Sequence, residues 1–199
     1  MMTMDMLFDL PAMPAQPALP GLSTTSDLVT AAEEQQLIAA IDATALAPFR
    51  FQGWTGKRLT SSFGWHYDFD RGRLEPGVPF PDWLIPIRDR AAAFAGIAAA
   101  DLVQALLIRY DPGAGIGWHR DRPAFGHVLG ISLGAPAAMR FRRRAGAKFS
   151  RVTVPLAPRG AYHLSGMARD DWEHSIAAIE EIRWSITLRS LRTAVGDAR

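Results

Sequence analysis

Leu37, Ile38, Ile41 and Leu46 recur at near-helical spacing behind Thr30 and Glu33, a pair with the spacing of a capping box. That combination predicts an amphipathic helix over about 31 to 44. From Phe49 the pattern turns to short extended pieces, FRFQGW and RLTSSFGWHYDF, joined by glycine. A loop rich in Gly and Pro, DRGRLEPGVPFPDW, is expected next. WLIPIRDRAAAFAGI, 83 to 97, reads as a second helix, because Pro86 falls in the first turn, where a missing N–H is tolerated.

Beyond Asp101 the apolar positions predict strands. VQALLIRY (103 to 110) is followed by the turn run DPGAGIG and by the apolar HVLGISLG (127 to 134). AAMRFRRR (137 to 144) alternates Met139 and Phe141 with Arg140, Arg142 and Arg144, the period of a strand with one wet face. SRVTVPL, GAYHLSG, WEHSI and EIRWSITLRSL complete the series. The pattern predicts a mainly β fold with flanking helices (α+β), a barrel or sandwich supported by two leading helices.

Composition narrows the chemistry. The 199 residues fit one domain, and 48% apolar with 21% charged residues is ordinary for a globular chain. With no cysteine, thiolate zinc sites, iron–sulfur clusters and disulfides are excluded, so any metal is held by nitrogen and oxygen. The net charge of +2 leaves room for a polyanionic partner without demanding one. Asp5 and Asp9 stand where an export signal would carry basic residues, and no apolar run is long enough to span a membrane. The expectation is a soluble, cytoplasmic monomer with a loose Pro-rich arm over residues 1–20 and a single domain over 21–199.

The chain contains two near-copies of one pentapeptide, GWHYD at 64–68 and GWHRD at 117–121. Residues i and i+2 of a strand project to one face, so each copy can set an imidazole and a carboxylate on one ion. Two His and one carboxylate leave three open positions of an octahedron, an arrangement suited to Fe(II) and O2 chemistry. Two triads of similar spread can be drawn, because Asp121 to His174 and Asp68 to His119 are comparable separations. Context decides between them. GWHRD follows a clear strand and leads into HVLGISLG, whereas GWHYD runs into the Gly/Pro-rich loop. Arg183 and Arg189 follow His174 on RWSITLR, and their even separation puts two guanidiniums on one face, a match for a dicarboxylate. The metal is therefore assigned to His119, Asp121 and His174, and His127 and His163 are read as hydrogen-bonded imidazoles.

LIRYDPGAGIGWHRD, GISLG, LSGMARDDWEHSI and RWSITLR, in that order, resemble the AlkB-like family of Fe(II)- and 2-oxoglutarate-dependent dioxygenases. The resemblance is strongest over about 103–191 and looser over 21–100. It implies a double-stranded β-helix, or jelly roll, with N-terminal helices and a lid. It also implies Fe(II) on His119, Asp121 and His174, with 2-oxoglutarate and O2 as co-substrates. Arg183 would bind the distal carboxylate of 2-oxoglutarate, Tyr110 would hydrogen-bond it, and Arg189 would lie beside the keto-acid end. The family chemistry couples oxidation of 2-oxoglutarate to succinate with hydroxylation of a methyl group, which leaves nitrogen as formaldehyde.

SFGWHYDF matches the family's lid, so Trp65 and Tyr67 would pack on an extruded base. The implied function is oxidative demethylation of alkylated single-stranded DNA or RNA. The basic run 139–151 adds a positive ridge that suits such a partner. Three positions depart from the family's repair members: Ile108 replaces an Asn that contacts the co-substrate, Pro123 replaces a base-reading acid, and Ser185 replaces an Asn. Ile108 and Pro123 favour the alternative of a protein side chain or a small molecule as target. A non-catalytic nucleic-acid-binding module and a zinc hydrolase are the readings from other classes.

Overall fold

The structure, a computed structural model, describes residues 19–51, 54–68 and 73–192; at 50, 51, 54, 66–68, 73 and 74 it describes the backbone alone. The expected Pro-rich arm lies, as far as residue 18, outside the described residues. The elements run in the order β1 (Leu22–Thr25), α1 (Ala31–Asp42), β2 (Ala47–Phe51), β3 (Trp54–Asp68), β4 (Arg73–Pro76), α2 (Ile85–Ala95) and β5 (Leu102–Tyr110). There follow β6 (Ile116–His119), β7 (Phe125–Gly134), β8 (Ala137–Ala145), β9 (Lys148–Leu156) and β10 (Ala161–Leu164). The last three are α3 (Gly166–Asp170), β11 (Glu173–Ile176) and β12 (Arg183–Leu191). Among the described residues no helix is long and apolar enough to cross a membrane.

Both helices form where the pattern puts them, each trimmed by about a turn or less. At α1 the Thr30 hydroxyl accepts from the Glu33 amide at 3.2 Å, while the Thr30 amide donates to Glu33 Oε2 at 2.8 Å, closing the capping box. Arg90 of α2 reaches across to Glu33 at 2.7 Å and ties the two helices together. That guanidinium, with the Thr30 amide, holds the Glu33 carboxyl down at about 2. Pro86 sits in the first turn of α2, and Gly96 ends the helix in the left-handed conformation.

The strands form two antiparallel sheets. The larger has the order β1-β10-β7-β12-β5-β3-β2, with β4 attached only to β3; the smaller has the order β6-β11-β8-β9. One face of the large sheet carries Leu129, Ile131, Leu133, Ile186 and Leu188, which bury against Leu37 and Ile41 of α1 and Ile87 and Ala91 of α2. Burying each such aliphatic side chain contributes about 1.5–3 kcal/mol. The other face looks across to Met139 and Phe141 of the small sheet, whose alternation with exposed or half-buried arginines is the one predicted. The result is the expected mainly β, jelly-roll architecture with flanking helices.

The region around GWHYD differs from expectation. RLTSSFGWHYD lies within a single strand of 15 residues, and the supposed loop contains β4, which pairs Trp65 with Pro76 and Asp68 with Arg73. Gly64 explains the geometry. Its φ is +74°, and an added Cβ would stand 2.0 Å from the Val103 carbonyl oxygen. Pairing of β3 with β5 ends at Gly64, and pairing with β4 begins at Trp65, so the strand leaves the sheet at this residue and continues as a two-stranded arm. Composition hid this, because Gly and Pro in DRGRLEPGVPF mark the ends of β4 instead of an open loop.

Candidate active site

The inner face of the large sheet is polar where four strands meet. On β12, Arg183, Ser185, Thr187 and Arg189 are spaced by two and turn inward, away from the helix-facing Ile186 and Leu188. β12 pairs with β5 and β7, which brings Arg183 beside Tyr110 and Gly134, and Arg189 beside Gln104 and Val128. The small sheet contributes His119 and His174, which are direct partners across the β6–β11 pairing.

His119, Asp121 and His174 are thereby brought together. The two imidazole centroids are 4.3 Å apart, and His174 Nε2 lies 3.6 Å from Asp121 Oδ2. The pair in GWHRD is not wholly on a strand: β6 ends at His119, and Asp121 sits two residues past it. Its mount is supplied by Arg169, buried behind it, which donates to the carbonyl oxygens of Arg122 and Phe125 and so fixes the turn that carries Asp121. His119 Nδ1 is 2.8 Å from the Gly117 carbonyl oxygen. A carbonyl only accepts, so Nδ1 carries the proton and the Nε2 lone pair is left for a ligand.

The electrostatics prepare the same three groups. Burial, then the His119 ring, pushes the His174 imidazole down to about 4, and burial likewise lowers His119. Both rings are neutral at pH 7. Burial alone would raise the Asp121 carboxyl, but Arg189 and then the two His rings outweigh it and hold it well below the usual carboxylate range. Two neutral imidazoles and an ionised carboxylate are the protonation states a divalent metal requires. Among the described residues no group of three His, Asp or Glu side chains stands ready to hold a metal ion as placed, so these three would have to draw together on one. Asp121 Oδ1 is taken by Arg189, so Oδ2 is the oxygen that faces His174.

Arg183 supplies a test of fit for an anion. It is 1% exposed, one nitrogen donates to Ser132 Oγ at 3.1 Å, and Nε and Nη1 are buried with no partner. The Tyr110 ring lies 5.2 Å from its guanidinium carbon. Two orphaned charged donors on a buried guanidinium call for an acceptor, which a carboxylate would supply, and leaving them unpaired is costly. Arg189 belongs to the other end of the site, donating from Nε to Asp121 at 2.9 Å and from Nη1 to Gln104 at 2.9 Å.

The remaining predicted residues fall as follows. Trp65 is half-buried on the arm beyond Gly64, and the Tyr67 side chain lies outside the described residues. His127 and His163 lie apart from the site and hydrogen-bond to each other at 2.8 Å. Ile108 is buried beside Tyr110, and Pro123 is exposed, its carbonyl accepting from Arg192. Ser185 is buried on the inner face of β12.

Sequence reasoning missed Arg58, Gln104, Ser132, Tyr162 and Arg169. Gln104 shares the parity of Tyr110 on β5, a signal that was readable. Tyr162 approaches so closely over Gly130 that a Cβ there would stand 2.2 Å from its ring. Burial, then Asp121, pushes the Tyr162 hydroxyl well above its ordinary range, so it remains a neutral donor beside the site.

Residues 21–195 match the family model described as the 2OG-Fe(II) oxygenase superfamily. The chain is 30% identical to the alkylated DNA repair protein ALKBH8 homolog of Arabidopsis thaliana, aligning 89% of its own length with 57% of that protein. It is 26% identical to the tRNA (carboxymethyluridine(34)-5-O)-methyltransferase ALKBH8 of Macaca fascicularis, aligning 79% of its length with 24% of that protein. The chain therefore spans little more than half of one curated relative and about a quarter of the other. The solved structure of OsALKBH1 superposes with a TM-score of 0.64 at 16% identity, covering 88% of this chain and 99% of that one, a likeness of fold.

Proposed function

Since this chain belongs to the 2OG-Fe(II) oxygenase superfamily as an AlkB-like dioxygenase, we propose that it oxidatively removes alkyl groups from nucleic-acid bases, with His119, Asp121 and His174 holding Fe(II). The observation that carries the site assignment is the convergence of these three groups, in metal-ready protonation states, beside the orphaned donors of Arg183. When bound, Fe(II) with O2 and 2-oxoglutarate supplies an oxidant able to hydroxylate an unactivated C–H bond.

The chain's own residues do the positioning. Arg183, steadied by Ser132, receives the distal carboxylate of 2-oxoglutarate, and Tyr110 lines the path between it and the metal. Arg189 keeps Asp121 ionised and turned so that one oxygen is free for the metal. Phe141, fully buried and 6.0 Å from the His174 ring, backs the site with apolar surface that excludes water.

A nucleic-acid target is supported by the outer face of the small sheet. Trp118 lies 5.2 Å from the Arg140 guanidinium and 4.4 Å from that of Arg142, and Phe149 lies within 6.0 Å of Arg142, Arg144 and Arg151. Interleaved arginines and aromatic rings suit a single-stranded backbone and its bases. Trp118 precedes His119 on β6 and so projects to the opposite face of the small sheet from that ligand. Trp65 on the arm would pack on an extruded base.

The test is succinate and formaldehyde release from methylated single-stranded DNA, methylated RNA and tRNA in turn. Succinate released with a nucleic-acid substrate in a substrate-dependent way is expected; turnover stimulated only by a protein or small molecule would move the target to that class. An absence of any 2-oxoglutarate consumption would end the oxygenase reading.

A further inference from the structure

Arg58 is the site residue that neither the motif nor the family likeness marks. It lies on β3, and one step beyond the Leu59–Arg109 pair the register brings it opposite Tyr110. Thr60 is opposite Ile108, so Arg58, Ile108 and Tyr110 share the inner face of the sheet. Its guanidinium hydrogen-bonds with Tyr110 and counts Asp121, Arg189 and His119 among its electrostatic neighbours. It is 9% exposed, and Nη1 is buried with no partner. The Phe49 ring, 4.1 Å from the guanidinium carbon, offers partial compensation only.

An arginine cannot escape such a place by losing its proton. Three guanidiniums, Arg58, Arg183 and Arg189, line this face, and among the described residues Asp121 is its buried carboxylate, already engaged by Arg189. Two cations are thus left without acids, one on either side of Tyr110: Arg183 against Ser132, and Arg58 on the side of His119 and Asp121. That is the charge pattern of a dicarboxylate lying lengthwise between them.

Resting on the oxygenase reading, we infer that Arg58 binds the metal-proximal carboxylate of 2-oxoglutarate. A carboxylate borne by the target is the other source of the same chemistry, and the experiment separates the two.

The full chain loaded with Zn(II), a redox-silent stand-in, is titrated calorimetrically with 2-oxoglutarate and with 2-oxobutyrate, which keeps the keto-acid end and lacks the distal carboxylate. Arg58→Met is expected to weaken both ligands about tenfold or more, the worth of a charge-assisted hydrogen bond. Arg58→Lys is expected to recover part of the loss. Arg183→Met is expected to weaken 2-oxoglutarate and to leave 2-oxobutyrate within about twofold of wild type, since no contact to it is removed.

Thermal unfolding without ligand adds a readout that a structural role could not mimic: Arg58→Met removes a buried unpaired cation and should raise Tm. Unchanged affinity of Arg58→Met for both keto acids, with 2-oxoglutarate lost in Arg183→Met, overturns the inference alone. The same holds if only the KM for the target rises, which would assign Arg58 to a target-borne anion. Unchanged 2-oxoglutarate affinity in Arg183→Met instead overturns the co-substrate reading on which the inference rests.

Discussion

Arg189 closes on one oxygen of Asp121 with two donors, Nε at 2.9 Å and Nη2 at 2.8 Å from Oδ1. Asp121 is buried, so the guanidinium is what keeps a carboxylate charged there. Arg189→Met leaves that charge without its partner, and the metal-free protein should lose about 3 kcal/mol or more of stability, the usual cost of breaking a buried pair. Urea unfolding at pH 7 measures it. A loss below about 1 kcal/mol, the range of an exposed pair, would show that Asp121 is not held as described.

The buried imidazoles give a pH dependence of the metal-free protein. The His174 ring is pushed from 6.5 to about 4 by burial and by its neighbour His119. Above pH 6.5 both folded and unfolded chains leave it neutral. Below that the unfolded chain takes up a proton that the folded chain refuses, so stability falls from pH 6.5 to about 4 and then levels off for this group. His174→Gln should flatten that limb of a stability–pH profile, and an unchanged slope would mean the ring titrates normally.

Replacing any one of His119, Asp121 and His174 by Ala should abolish 2-oxoglutarate turnover, because a facial set of three cannot hold iron firmly with two. Anaerobic titration with Fe(II) and 2-oxoglutarate, followed by the visible band of the chelate, checks this directly. His66→Ala should retain the band. A band that survives in His119→Ala but vanishes in His66→Ala would relocate the metal to GWHYD.

Trp65 lies beyond the point where β3 leaves the sheet, so its loss should not disturb the site itself. Trp65→Ala is expected to spare uncoupled consumption of 2-oxoglutarate while lowering substrate-coupled turnover at least about tenfold, the worth of one stacked base. Equal loss of both activities would make Trp65 part of the core.

The arginines over Trp118 and Phe149 should act through charge. Arg142→Glu together with Arg151→Glu is expected to weaken binding to single-stranded RNA and to reduce the slope of log K against log salt by about one to two. Uncoupled turnover should be unchanged. Binding that keeps its wild-type salt slope would return this face to an ordinary solvated surface.

What was legible in the sequence follows a physical rule. Helix α1 could be read because its cap and its apolar period are local, and β8 because Met139 and Phe141 alternate with arginines over one strand. The convergence of His119 and His174 could be anticipated from motif order and likeness, although its geometry depends on the β6–β11 register. Arg58 could not be read at all, since nothing in RLTSSF distinguishes it until β3 is laid against β5. The arm after Gly64 was hidden for the opposite reason: residues that end a short hairpin strand have the composition of a loop.

Gly64 also has a bearing on how such a protein can change. Val103 blocks any side chain at that joint, and the segment returning from the arm is fastened to the same residue, Gly77 donating to the Gly64 carbonyl and Gly64 donating to Val78. The oxidising machinery and the segment carrying Trp65 therefore draw their backbone pairing from different strands, meeting at one residue. On the proposed reading of Trp65, a lineage or a protein engineer can exchange residues of that arm and alter which molecules are accepted, while the furnace behind them stays lit.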